Sequence, residues 1–508
     1  MNKAVKTVSF IVVATFLSKL MGLFRDILVA NYYGTGVLGT AFLNASTIPV
    51  AFFDLTLGAA ILSSFIPVFN GFLQRGDKDK AFEFSNSFIN LVFLITVIFS
   101  VIGSIFPNFL VNAVASGIGT EAKEITARLL IILLPTTIFT GLAYSVVGIL
   151  QSFDEFNIPA IISLVSNLIV IAYLVLFNDK FGVYGLAISM LLGWSMQLIV
   201  QIPALIKKGY RYRFVLNFKN EGIKDVAKLS LPILIASWVQ PITVLINKNF
   251  ASYLYSGSGS AALDYANRLY IIVVGVFAFA ITNYIFPSMS RFGTDGDKEQ
   301  FSKVLKSSVK TIVLITVPIF LGMMLLSEEI ITIVYARGEF NELSVKLCSG
   351  ALFFYSIGMV SYGYNEIVNK CFYALKKARV PMIASVFGII LTAILSWVFM
   401  KYTTFGVNGL ALSSSVGLIF VSVILSVFVN REFYKLIDGK LLFGILKIFV
   451  CGLVMFAVGF LVKTVTAGLG MILSVVMTVI VCAIVYFALL LLIKNEELLQ
   501  VINKGVKK

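Results

Sequence analysis

Histidine is absent from all 508 residues. The chain therefore lacks the commonest general base near neutral pH and the commonest metal ligand. Cysteine is scarce and carries no pattern. Cys348, Cys371, Cys451 and Cys482 stand in apolar stretches without metal or redox spacing, as packing residues do. Charged residues make up only 13%, and no cluster of carboxylates stands in the short cation-poor loops. A glycosyl or phosphosugar transferase needs such a cluster for acid/base or metal chemistry, so an enzyme is not expected, nor any cofactor or metal. No cleavable signal peptide is evident, and the first apolar run is expected to belong to the fold. What the chain has in abundance is apolar sequence: 59% hydrophobic residues and a mean hydropathy of +0.97. Soluble globular domains do not have that composition. The expected fold class is all-α, polytopic in a membrane. A net charge of +15 would suggest nucleic acid in a soluble protein. Here the cations cluster between apolar runs, so no nucleic-acid partner is expected and the charge is read as topology.

About fourteen spans are predicted, roughly 8–33, 40–73, 83–112, 122–150, 157–178, 183–206, 229–255, 263–290, 305–335, 345–374, 379–401, 405–430, 440–463 and 468–494. The second is too long for one straight crossing. Pro49, Pro232 and Pro241 predict kinks in the second and seventh. Every loop after an even-numbered span is cationic: Arg75, Lys78 and Lys80; Lys207 to Lys224; Arg291, Lys298 and Lys303; Lys376, Lys377 and Arg379; Arg431, Lys435 and Lys440. Lys3 and Lys6 add to this at the N-terminus, and Lys504, Lys507 and Lys508 at the C-terminus. Residues 31–39 and 256–262, in loops after odd-numbered spans, hold no cation. Both termini are therefore expected in the cytoplasm of a multi-pass protein.

The sequence also repeats itself. Phe181-Gly182-Val183-Tyr184-Gly185-Leu186-Ala187 recurs as Phe405-Gly406-Val407-Asn408-Gly409-Leu410-Ala411. Ile158-Pro159 recurs as Val380-Pro381, and Phe65-Ile66-Pro67 as Ile285-Phe286-Pro287. The offset is about 220 residues, or six spans, so the halves share one orientation and the repeat is parallel. The expected organisation is a six-helix lobe over 1–215, a second over 216–436, and two extra helices with a tail over 437–508. Substrate sites of transporters built this way lie between the halves near the midplane.

Ionisable residues inside the spans are the functional candidates, since each costs about 2.5–3.5 kcal/mol at the bilayer centre by insertion scales. Lys19 and Asp26, seven apart, share a helical face, while Arg25 points elsewhere on an ideal helix. Gly22 between them is expected to loosen the helix. Lys19 would sit ~17 Å deep, too far in to snorkel; Arg25 and Asp26 stand nearer the outer end, where snorkelling is the competing reading. Asp54 lies within the second span, and an ion pair to Lys19, Arg25 or Arg268 is expected for it. Lys248 and Arg268 lie in the seventh and eighth spans and are either cavity residues or outer-interface anchors. Glu366 and Lys370, four apart in the tenth, are read as a structural ion pair. Lys19, Arg25, Lys248 and Arg268 against Asp26 and Asp54 make a net cationic chamber, which suits an anion.

Ser18-Lys19, Gly22, Arg25-Asp26, Ile48-Pro49, Gly58-Ala59-Ala60 and Phe65-Ile66-Pro67 together resemble the first two helices of the MurJ (MviN) lipid II flippases. Tyr265-Ala266-Asn267-Arg268-Leu269, Pro287-Ser288, Tyr335-Ala336-Arg337-Gly338-Glu339-Phe340 and Phe372-Tyr373 extend the resemblance over at least residues 8–400. The family lies in the multidrug/oligosaccharidyl-lipid/polysaccharide exporter superfamily. The resemblance implies movement of the undecaprenyl-diphosphate-linked peptidoglycan precursor from inner to outer leaflet by alternating access, in the bacterial cell membrane. Implied partners are the lipid-linked diphosphate, membrane lipids, and a coupling ion (Na+ or H+) or the membrane potential. The family's cavity cations fall on Lys19 (usually Arg), Arg25 and Arg268. A further cavity Arg falls on Asp54, a charge reversal, and a gate carboxylate falls on Gly58. The Asp usual before Phe42 is Thr40, and the Asp usual beside Arg268 is Asn267. Two alternatives share the superfamily: export of another lipid-linked oligosaccharide, and cation-coupled drug export, for which Asp26 and Asp54 would be the exchanging carboxylates.

Overall fold

The computed structural model describes residues 3–499, apart from 59–60, 218–219, 296, 376, 433–437 and 496. Lys219, Lys376, Lys435, Lys504, Lys507 and Lys508 of the loop pattern, and Ala59 and Ala60 of the second-span motif, lie outside the described residues. Among the described residues there is no strand. In a bilayer each helix satisfies its own backbone, which open sheets cannot do.

Contacts divide the chain into two compact units, Met1–Ala261 with Arg337–Asn341, and Ala262–Ala336 with Glu342–Lys508. The first contains α1 (Lys3–Tyr33), α2 (Val37–Phe53), α3 (Ile66–Gln74), α4 (Lys78–Ile105), α5 (Pro107–Ala115), α6 (Thr120–Leu133), α7 (Thr136–Ser152), α8 (Asn157–Leu176), α9 (Asn178–Ile199), α10 (Ile202–Lys207), α11 (Glu221–Ser237) and α12 (Val239–Ala251). The second contains most of α13 (Ser258–Asp295), then α14 (Lys298–Leu325), α15 (Ser327–Tyr335), α16 (Glu342–Ile357), α17 (Met359–Ala374), α18 (Arg379–Tyr402), α19 (Val407–Glu432), α20 (Gly439–Thr466) and α21 (Met471–Leu492).

Among the described residues, ten helical segments are long and apolar enough to cross a membrane, and α16 with α17, bent by 47° at Gly358, makes eleven. The predicted spans outside that count are α1, α11–α12 and α13. They are the spans that carry Lys19, Arg25, Asp26, Lys248 and Arg268.

The repeat reappears inside each unit. A 28-residue helix is followed by a nine-residue one in both (α4–α5 and α14–α15). A broken pair follows (α6–α7 and α16–α17), then a hairpin (α8–α9 and α18–α19). The hairpin turns are matched in conformation: Gly182 and Gly406 have φ of +55° and +54°.

Two local expectations are corrected. α1 is one continuous helix through Gly22; the missing side chain there makes room for Asn167 of α8, whose Nδ2 lies 3.5 Å from where a Cβ would be. α2 also runs on through Pro49. The irregularity of the second span comes later, as π-helical turns at Asp54–Gly58 and Ile61–Phe65. A π turn inserts one residue into the helical register and re-aims the side chains beside it.

Unit 1 packs around Phe65, Phe69, Phe84 and Phe88, whose rings stack 4.7–6.2 Å apart where they meet. Unit 2 packs α14 against α17, α20 and α21 through Val313, Val317, Leu321, Cys451 and Tyr486. Large apolar side chains such as Phe443, Leu461, Ile472 and Leu492 stay exposed on α20 and α21, where lipid chains are the matching solvent.

Candidate functional site

In unit 1, α8 packs along α1 and supplies an amide at mid-helix, Asn167. Its Oδ1 accepts from Nη1 of Arg25 at 3.0 Å, and its Nδ2 donates to the carbonyl of Ser18 at 3.3 Å. Arg25 also turns toward its neighbour: Nε and Nη2 donate to Oδ1 of Asp26 at 3.1 and 2.8 Å. Asp26 is buried, while the Arg25 side chain keeps 21% of its surface. A guanidinium has five N–H groups. Three are committed here, which leaves one on each terminal nitrogen of Arg25. Those two remain available to the oxygens of an anion. The carboxylate and the amide hold the cation in place and offset part of its desolvation cost. Lys19 lies on the same helix, half-buried, next to the Ser18 carbonyl that Asn167 engages.

Lys248 sits differently. It is 1% exposed, and its ammonium donates to the Leu43 carbonyl at 2.9 Å and to the Thr47 hydroxyl. It ties α12 to α2 within unit 1. Trp238, at the break between α11 and α12, donates from Nε1 to the Leu55 carbonyl at 2.8 Å. Leu55 lies in the first π turn, so the irregular backbone there finds a partner.

Asp54 opens that π turn and is exposed. The expected ion pair does not form with Lys19 or Arg25: Arg25 is taken by Asp26 and Asn167, and the Asp54 side chain makes no hydrogen bond or ion pair among the described residues of its unit. Its carboxylate instead faces a cavity of about 210 Å³ lined from α2, the α6–α7 break and α9, with Phe53, Tyr144 and Trp194 among the walls.

Arg268 belongs to unit 2. It is half-buried on α13, one turn after Asp264 and between the buried Tyr265 and Tyr270. Tyr270 stacks on Tyr355 at 5.7 Å and meets Tyr362 edge-on at 6.1 Å. Glu366 and Lys370 lie half-buried on one face of α17. Among the described residues no group of three or more Cys, Asp or Glu is placed to hold a metal.

Sequence reasoning missed Asn167 and the aromatic cavity. Asn167 had a signal, being a lone amide in the middle of a 20-residue apolar helix. The cavity had none, because its walls come from separated segments.

The chain matches the family model described as "Lipid II flippase MurJ" over residues 29–481. A probable lipid II flippase MurJ of Buchnera aphidicola from Schizaphis graminum is 29% identical over 408 residues, covering 80% of this chain and 79% of the relative. One from Thermotoga maritima is 26% identical over 512 residues, covering 99% and 100%. A solved lipid II flippase MurJ in an inward closed conformation superposes with a TM-score of 0.80 at 25% identity, over 94% of this chain and 97% of that one. An inward-facing multidrug transporter of the MATE family shares the fold, with a TM-score of 0.70 at 17% identity over 82% and 95%. A helical chain that matches one family model over most of its length, and a solved member over 94% of its own, is a multi-pass membrane protein that belongs to the lipid II flippase MurJ family.

Proposed function

We propose that this protein carries the undecaprenyl-diphosphate-linked peptidoglycan precursor, lipid II, from the inner to the outer leaflet of a bacterial cell membrane by alternating access. The observation that carries the reading is Arg25: a guanidinium inside a membrane helix, fixed by Asp26 and Asn167, with two N–H groups uncommitted. A diphosphate cannot enter hydrocarbon with its charges bare. Arg25 from the first half and Arg268 from the second would bind its oxygens, with Lys19 as a weaker third contact. The six-helix lobes 1–215 and 216–436 would rock around it, 437–508 adding two helices. An anion that draws on both lobes reports its occupancy to both. Asp26 keeps the binding moderate, so that the cargo leaves on the far side. Lys248, tied to α2, supports the site from behind. Both termini would lie in the cytoplasm.

The test is depletion in the native bacterium followed by rescue. A known lipid II flippase should restore growth and wall synthesis to depleted cells, and this chain should do the same in cells depleted of that flippase. Failure of rescue in both directions, with both proteins accumulating in the membrane, contradicts the reading.

A further inference from the structure

The unit 1 cavity has a chemistry that a diphosphate does not require. Its lining holds one ionisable acid, Asp54, and no lysine or arginine. An anion entering it would meet a carboxylate with no cation beside it. We propose that this cavity is a binding site for a primary alkylammonium group, held by the Asp54 carboxylate and the faces of Phe53, Tyr144 and Trp194. The proposal uses the flippase reading only for one source of the amine, the cargo itself.

Three observations converge. The carboxylate is presented to the cavity by the first residue of a π turn, and the Asp54 side chain has no hydrogen bond or ion pair among the described residues of its unit. In a membrane interior such a group either meets a cation or gives up its charge by taking a proton. The serine and threonine hydroxyls on the wall act as acceptors. Ser46 donates to the Leu43 carbonyl at 3.1 Å, Thr136 to Leu133 at 2.5 Å and Thr140 to Thr136 at 2.8 Å. Each hydroxyl has one proton, so each offers lone pairs alone to a guest with N–H donors. The remaining contribution is aromatic. Phe53 and Tyr144 pack at 5.1 Å with their planes inclined by 47°, and Trp194 adds an indole. Ring faces attract ammonium groups, more strongly out of water.

A bare metal ion fits less well. Calcium takes six to eight oxygens, most of them charged or carbonyl, and magnesium a near-ideal octahedron. One carboxylate among aromatic and aliphatic walls does not provide that. At about 210 Å³ the cavity admits an ammonium with several carbons behind it, which the apolar walls would cover.

The test uses the full-length protein in phosphatidylcholine nanodiscs, with n-pentylammonium as the probe, 1-pentanol as its uncharged counterpart and NaCl as an inorganic competitor. Calorimetry should show saturable binding of pentylammonium, at least tenfold weaker in Asp54→Asn and a few-fold weaker in Tyr144→Leu. Asp54→Glu, which keeps the charge, should retain most of it, and that variant separates loss of charge from loss of fold. Pentanol should not compete, and sodium should compete only at far higher concentration. Equal affinity in Asp54→Asn, competition by pentanol, or displacement by equimolar sodium overturns the proposal. Two further competitors identify the source: a lipid-linked saccharide bearing a primary amine, and the same lipid N-acetylated. Displacement by the amine form alone assigns the group to the cargo; displacement by neither, with pentylammonium still bound, assigns the site to small free amines. Both results support an ammonium site. Binding is read without any flipping, so its loss leaves the flippase reading standing, and the reverse holds too.

Discussion

Nη1 of Arg25 on α1 donates to Oδ1 of Asn167 on α8 across 3.0 Å, joining residues 142 positions apart. Asn167 also reaches the Ser18 carbonyl, so one amide fixes the cation and the helix two turns before it. Hydrogen bonds between membrane helices contribute about 0.6 kcal/mol on average and up to about 1.7 kcal/mol. Asn167→Ala should lower stability by about 1 kcal/mol and reduce complementation more than that small loss explains, because the guanidinium loses its orientation. Thermal unfolding in detergent beside complementation checks this. Full activity with Asn167→Ala would show that the amide does not position Arg25.

Topology is open to labelling. All four native cysteines are buried, so the wild-type background should be silent to an impermeant thiol reagent. Gly36, Ser256, Thr403, Gly76, Arg211 and Asp297 are all exposed. Cysteines at Gly36, Ser256 and Thr403 should label in intact cells; those at Gly76, Arg211 and Asp297 should label only after permeabilisation. Labelling at Gly76 from outside would reverse the orientation of the first spans.

The segment Arg337–Asn341 belongs to unit 1 because Glu339 N–H donates to the Asn31 carbonyl at the end of α1, at 2.9 Å. Two glycines permit the approach. Gly34 has φ +53° and a Cβ there would come within 2.2 Å of the Glu339 carbonyl oxygen; Gly338 has φ +54° and its Cβ would come within 2.2 Å of the Asn31 carbonyl oxygen. Left-handed backbone alone costs roughly 1–2 kcal/mol for a residue with a side chain. Gly338→Ala should therefore open this contact, seen as at least tenfold faster hydrogen exchange at the Glu339 amide with α8 unaffected. Unchanged protection at Glu339 would contradict the packing.

Asp438 caps α20. Its carboxylate accepts from Lys306 Nζ at 2.7 Å and from the Leu441 N–H at 2.8 Å, and the lysine, then the amide, hold its carboxyl below the ordinary carboxylate range. A group lowered on folding stabilises above its unfolded pKa and loses that contribution as pH falls through the folded value. The cap should thus hold at neutral pH and fail only on the acid side of the usual aspartate range. Asp438→Ala should cost about 1 kcal/mol at pH 7, and Asp438→Asn, which keeps the cap acceptor, less. Equal losses for both would assign the effect to the half-buried ion pair with Lys306 instead.

Much of this was legible in the sequence because membranes penalise polarity. Apolar runs marked most spans, and Lys19, Arg25 and Asp26 stood out as charges within one. Asn167 obeys the same rule, yet a neutral amide does not appear in a scan for charge. The break between α4 and α5 falls at Pro107, which cannot donate to a helical carbonyl, although the apolar run over 83–112 reads as one span; its counterpart at Leu326 carries neither Gly nor Pro. The π turns after Phe53 have no local signature either. They differ from α-helix by one residue of register, which the neighbouring helices decide. For the same reason Asp54 could be named a candidate from its position while two of the partners expected for it, Lys19 and Arg25, do not pair with it: only packing shows that Arg25 faces Asp26 and Asn167.

The central claim is that Arg25 and Arg268 carry the diphosphate. The most direct measurement is the leaflet location of lipid II in cells that depend on Arg25→Ala or Arg268→Ala. Both variants should insert and accumulate normally while the precursor stays on the inner face, and lysine at either position should restore part of the outer-leaflet signal, since charge is kept and the paired geometry is lost. Normal exposure of precursor on the outer face in either alanine variant would contradict the account.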